Sequence, residues 1–244
     1  MPNLKTLQML NAGYDDALAY LRPGLTLCNA RGVHDASTAE LAVGLAIASR
    51  RGFPEFMREQ IAGRWSHHRT SALSDSKIGI IGYGSIGKKI AKNLSGFEVS
   101  ITAFTQSGRD GSLTIDQLDA HLPELDIIIL ILPLSDSSRH LFNAKRIAAM
   151  KDGALLINVA RGLVVETDAL VKELNSGRIF AALDVTDPEP LPAGHPLWSA
   201  KNLLLVPHVG GNSDAFEPRG RALVESQLQL LAAGAPLEHV VAQG

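Results

Sequence analysis

The chain has 244 residues, 45% of them hydrophobic, and carries 23 Lys and Arg against 25 Asp and Glu for a formal net charge of −2. That length and apolar content support one large or two small packed domains, and the scattered basic residues form no stripe of the kind that grips a nucleic-acid backbone. The longest apolar run, "IIILILPL" at 127–134, is far short of the roughly 20 residues a membrane helix needs.

The N-terminus shows no signal-peptide pattern. Cys28 is the single cysteine and sits in the apolar "LTLCNA" with no base nearby. A buried structural thiol and a cytoplasmic location are the expectation.

In chain order, "LKTLQML" and "LTLCNA" read as short strands around "NAGYDDALAYLRPG", a turn with a short helix. "HDASTAELAVGLAIASRRG" reads as a helix with a capping box from Ser37 to Glu40 and a stop at Gly52. From residue 77, "KIGIIG", "FEVSITAF", "LDIIILIL", "GALLINV", "RIFAALDV" and "NLLLV" read as strands, with helical stretches at 86–95, 114–122, 143–150 and 167–176. Near-continuous apolar strands separated by helices predict a parallel sheet covered on both faces, a doubly wound α/β domain of the Rossmann type. A last helix is expected over 216–234, followed by a short apolar tail.

Gly82, Gly84 and Gly87 in "IGIIGYGSIGKKIAKNL" form a G-x-G-x-x-G pattern between a strand and a helix. This is the context in which such glycines bind a dinucleotide: a tight turn, close backbone approach to a pyrophosphate, and N–H groups from Ser85 and Ile86 onward facing the anion. The acidic residue that usually takes the ribose hydroxyls is absent after the second strand. Thr105 stands there, and Ser107 and Arg109 can contact a 2′-phosphate. The cofactor is therefore expected to be NADP or NAD, with NADP favoured.

Three further strands end in chemistry. Arg161 follows "LLINVA" and offers a planar fork for a carboxylate; a structural ion pair is its other reading. "AALDVTDPEPLP" supplies Asp184, Asp187 and Glu189, and "LVPHVGG" ends a strand on His208. If these strands are neighbours, Arg161, Glu189 and His208 converge at one crevice, with His208 as an acid–base group supported by Glu189. The other histidines have no acidic or cysteine neighbours at metal-ligand spacing, so no metal site is expected.

Taken in order, "NAGYD", "TAELAVGLAIA", "IGIIGYGSIG", "LPLSDSSRHLFN", "INVARGLVVETDAL", "ALDVTDPEPLP" and "VPHVGG" resemble the D-isomer-specific 2-hydroxyacid dehydrogenase family, which includes D-3-phosphoglycerate dehydrogenase and glyoxylate/hydroxypyruvate reductases. The resemblance covers nearly the whole chain. It implies hydride transfer between NAD(P)H and a small 2-keto or D-2-hydroxy acid, with Arg161 binding substrate, Glu189 its carboxylate partner and His208 the acid–base residue. It further implies that amides near Ala12 and Gly13 receive the substrate carboxylate and that Asp184 holds the nicotinamide carboxamide. Leu132, Pro133, Ser138, Val159, Ala160 and Gly210 complete the cofactor lining.

The resemblance also implies a flavodoxin-like substrate domain, of which residues 1–37 and 213–244 are the expected remnant beside a dinucleotide-binding domain at 38–212. Members carry about two further βα units, roughly 30 residues each, ahead of "NAGYD". The N-terminal part of the substrate domain is thus expected to be missing. Family dimers pack around the helix at 38–52, so a homodimer is expected. The alternative is a cofactor-binding sensor or corepressor on the same fold; a formate dehydrogenase is disfavoured because its relatives carry glutamine where Glu189 stands.

Overall fold

Two sheets organise the computed structural model, which describes residues 3–244. The smaller begins with parallel strands β1 (Thr6–Gln8) and β2 (Thr26–Cys28), joined through a 3-10 turn at Asp15–Tyr20. The chain then enters helix α1 (Asp35–Arg50), and Gly52, at φ +67°, turns it into a second helix, α2 (Phe53–Ile61), with a proline in the first turn. The sequence had suggested only a stop at Gly52.

The larger sheet is built from β3 (Lys77–Ile81), β4 (Ser100–Thr105), β5 (Leu113–Thr114), β6 (Ile127–Leu130), β7 (Leu155–Asn158), β8 (Phe180–Leu183) and β9 (Leu203–Leu205). Its order is β5-β4-β3-β6-β7-β8-β9, and every pairing is parallel. Helices α3 (Ser85–Leu94), α4 (Leu118–His121), α5 (Ala144–Ala149) and α6 (Thr167–Asn175) lie in the connections. α7 (Phe216–Ala232) leads back to the small sheet, where β10 (Val240–Gln243) pairs antiparallel with β2.

The unbroken apolar runs follow from two-sided burial. In β6, Ile127 and Ile129 face one core with Leu155, Ile157 and Ala182, while Ile128 and Leu130 face the other with Leu156, Ala181 and Leu183. Alternation between two dry faces leaves no polar position to mark the period. α1 closes the first core through Ala39, Ala42, Leu45 and Ala46, small residues that let it lie close on the sheet.

One expectation about helices needs correction. No capping box forms at Ser37 and Glu40: α1 starts at Asp35, and the Ser37 hydroxyl donates back to the His34 carbonyl at 3.2 Å. The helical stretch expected over 114–122 is present from 115 to 124, as a 3-10 turn at Ile115–Gln117, the four residues of α4 and another 3-10 turn at Leu122–Glu124. A Thr114–Gln117 capping box starts the run, and Pro123 takes a first-turn position in its last segment, where proline is tolerated. The apolar tail forms β10 and is held by Gln227 of α7, whose buried amide bonds the Glu238 backbone at both ends and Gln8.

Candidate active site at the strand C-termini

The strand order reverses at β3, with β4 on one side and β6 on the other. In an open parallel sheet this is where a crevice forms beyond the strand ends, and the glycine turn occupies it. A Cβ on Gly82, at φ +102°, would lie 2.1 Å from the Ile131 carbonyl oxygen, and one on Gly87 would lie 2.2 Å from that of Gly82. Both glycines are required by the protein's own packing. Gly84 is different: a Cβ there would meet nothing within 4 Å.

Gly84 is also the N-cap of α3 and has no side chain to satisfy the helix's first N–H groups. An open approach and the uncapped amides of Ser85, Ile86 and Gly87 fit a pyrophosphate. Gly84→Asp separates the two requirements. Aspartate is a better N-cap than glycine, so thermal stability should hold or rise, whereas its charge in the groove should weaken NADPH binding at least ~100-fold. Melting curves and a fluorescence titration with NADPH measure both.

At the ribose end, Thr105 is buried and its hydroxyl is hydrogen-bonded to Ser112 at 2.8 Å. Gln106, Ser107, Arg109 and Asp110 are the exposed side chains between Thr105 and Gly111. The nearby carboxylate, Asp110, is drawn to Lys88 of α3 at 2.9 Å, and that contact lowers its pKa. On the β6 side, Leu132 abuts the glycine turn and Pro133 is exposed. Ser138 is buried, its hydroxyl donating to the Pro133 carbonyl and accepting from the Ser135 N–H, which shapes the segment from within.

β7, β8 and β9 are neighbours, so the residues that follow them emerge side by side at one edge. After β7, Val159 and Ala160 are buried and the chain turns at Asn158, whose side chain accepts from the Ala160 N–H and donates to the Arg161 carbonyl. Arg161 then reaches the small-sheet side: Nε and Nη2 each lie 3.3 Å from a carboxylate oxygen of Asp15, and Nη1 donates to the Ala160 carbonyl at 2.8 Å. Gly13 lies against this guanidinium, where a Cβ would be 1.4 Å from Nη2. Ala12, its neighbour, accepts a hydrogen bond from Asn29.

Asp184, directly after β8, is buried, and its two oxygens accept the backbone N–H groups of Val209 at 2.6 Å and Gly210 at 3.0 Å. Its carbonyl accepts the His208 N–H. The carboxylate thus stands inside the turn that carries His208, a residue held at φ +52°. Burial pushes the Asp184 pKa up, and the two N–H donors act against that rise. His208 is half exposed and its Nδ1 is bonded to the Glu189 carboxylate. Nε2 is left as the ring's working atom.

The NAD-binding-domain profile of the D-isomer specific 2-hydroxyacid dehydrogenases matches residues 43–210. The chain belongs to this family. A glyoxylate reductase of Thermofilum pendens is 36% identical over 95% of the chain and 72% of its own length. A family protein of Aeromonas salmonicida superposes with a TM-score of 0.90 at 30% identity, over 99% of this chain and 79% of that one. One from Xanthobacter autotrophicus, solved with NADPH and MES, gives 0.85 at 30% identity with the same coverage.

Within this 2-hydroxyacid dehydrogenase, the predicted residues divide by what they touch. Arg161, Glu189 and His208 lie on adjacent strand ends, with Ala12 and Gly13 brought up to Arg161. Thr105 and Ser138 direct their hydroxyls into their own loops, and Asp184 engages backbone amides. Sequence reasoning missed Asp15 and Asn158. The signal for Asn158 was a lone polar residue closing the run "LLIN"; nothing local links Asp15 to a partner 146 positions away. Among the described residues, no cluster of three or more His, Cys, Asp or Glu side chains could hold a metal ion.

Proposed function

We propose that this chain is an NAD(P)H-dependent reductase of small 2-keto acids, running in reverse on D-2-hydroxy acids. The observation that carries the reading is the Glu189–His208 pair at the strand edge beside Arg161. A nicotinamide cofactor, bound along Gly82–Gly87 with Val159, Ala160 and Gly210 nearby, supplies the hydride. Arg161 and the Ala12–Gly13 loop fix the keto acid's carboxylate, and such positioning is worth several powers of ten in rate. His208 donates the Nε2 proton to the carbonyl oxygen as charge develops there, while Glu189 keeps the Nδ1 proton and the ring orientation in place. In the oxidative direction Nε2 takes the proton back.

NADPH is the preferred reductant in this reading, because Ser107 and Arg109 are exposed where a 2′-phosphate would lie and Asp110 is already paired with Lys88. The deciding assay follows NADPH and NADH oxidation with glyoxylate, hydroxypyruvate and pyruvate. Cofactor binding without turnover on any of them would replace this reading with a sensor.

The division into a substrate lobe at 1–37 and 213–244 and a dinucleotide lobe at 38–212 is part of the proposal, supported by the two separate sheets. So are a homodimer and a cytoplasmic location. No helix among the described residues is long and apolar enough to cross a membrane, and Cys28 is a free, buried thiol.

The dimer is supported by an exposed apolar row, Phe53, Met57 and Ile61 along one face of α2, continuing to Trp65. Such a row in water marks a contact surface. Ile61→Asp with Trp65→Asp should convert the dimer to a monomer in light scattering after size exclusion. An unchanged mass would remove this face from the interface.

A further inference from the structure

The geometry points to Asp15 as a positioning residue that aims Arg161 from the opposite lobe, an inference that rests on the reductase reading above. Asp15 opens the 3-10 turn that follows "NAGYD". Its two oxygens meet the Nε and Nη2 edge of Arg161, and the Ala160 carbonyl takes a proton of Nη1. Of the guanidinium's N–H donors, those left over are the second ones on Nη1 and Nη2, at the tip of the fork. Gly13 closes the remaining side, since even a methyl group there would overlap Nη2.

This arrangement does two things to a bound keto acid. It blocks the side edge of the fork, so an incoming carboxylate meets Arg161 only at its tip. It also cancels most of the arginine's charge: both partners are largely shielded, with 29% and 26% of their side chains exposed, and a shielded pair is weakly screened by salt. Direction of approach, and with it the angle of the reacting carbonyl to His208, is then set by geometry more than by attraction.

Removing the Asp15 charge should therefore damage the chemistry more than the binding. Asp15→Asn should lower kcat for glyoxylate reduction with NADPH at least ~10-fold, because a carboxylate free to use either edge sits in misaligned poses. The KM for glyoxylate should stay within about 2-fold or fall, since the uncancelled guanidinium attracts the anion more strongly. Oxamate, titrated into the enzyme–NADPH complex and followed by nicotinamide fluorescence, should bind at least as tightly as to wild type. Asp15→Glu keeps a carboxylate within reach and should recover part of kcat.

Unchanged kcat in Asp15→Asn would overturn the inference. So would a loss of kcat with a matching rise in KM and in the oxamate Kd and a lowered melting temperature, the pattern of a simple tether between lobes. If Asp15→Asn does not fold, Asp15→Glu is compared with wild type instead, where a smaller loss of kcat at constant KM supports the role and wild-type kinetics remove it. Wild type inactive on all three keto acids sinks the reductase reading and this inference together, whereas an active wild type beside an indifferent Asp15→Asn sinks this inference alone.

Discussion

His208→Ala should lower kcat for keto acid reduction by about 10²–10⁴-fold, the range associated with losing a positioned proton donor. The KM for glyoxylate should change little, because the proposed reading gives the carboxylate to Arg161 and the Ala12–Gly13 loop. NADPH affinity should also hold, since the glycine turn lies on a different strand. Glu189→Gln is the informative companion. Its amide oxygen can still accept the Nδ1 proton of His208 and orient the ring, but it brings no charge to stabilise an imidazolium, so its loss should be smaller, roughly 10–10²-fold.

Because Glu189 acts through His208, the two losses should not add. The double variant should be about as slow as His208→Ala alone, as expected of residues that work as one unit. Additive losses would mean that Glu189 touches the substrate directly, and a His208→Ala enzyme with wild-type kcat would end the acid–base assignment.

Much of this site could be read from the chain because the large sheet is parallel and locally encoded. β3, β7, β8 and β9 are largely apolar runs that lead to Gly82, Arg161, Asp184 and His208, and parallel pairing puts these ends on one edge. The adjacency of β7, β8 and β9 brings the segments that carry Arg161, Glu189 and His208 out at one edge, where Glu189 and His208 pair.

What stayed hidden was set by tertiary contact. Asp15 meets Arg161 across the two lobes, and the Thr105 hydroxyl turns to Ser112 instead of the groove. At Asp184, where the resemblance implies a cofactor contact, the folded chain adds a second role unseen in the sequence, a carboxylate that accepts two backbone N–H groups of the His208 turn.

That last difference yields the second large effect. Asp184→Asn removes one of two matched acceptors: the amide oxygen can serve Val209 or Gly210, and its NH2 then faces the other N–H. For stability two changes oppose. A carboxyl whose pKa is raised by burial costs the fold stability, a cost that builds up as pH rises from the ordinary carboxylate value to the raised one and is fully present above it, and the neutral amide relieves it. The unmatched N–H costs on the order of 1–3 kcal/mol. With the terms of opposite sign, the melting temperature at neutral pH should move by no more than about 4 °C, which is roughly 1 kcal/mol for a chain of this size.

Activity has no such compensation. His208 sits at φ +52°, a backbone state that a non-glycine residue keeps only while its surroundings enforce it, and the Asp184 carboxylate is the clamp. Once the turn relaxes, Nε2 shifts relative to the carbonyl it must protonate. A displacement of about 1 Å is enough to cost roughly 10²-fold in rate. Asp184→Asn should therefore combine a near-normal melt with a kcat reduced about 100-fold, and Asp184→Ala, which removes both acceptors, should lose stability as well. A kcat within 2-fold of wild type in Asp184→Asn would show that the turn holds His208 in place without the carboxylate.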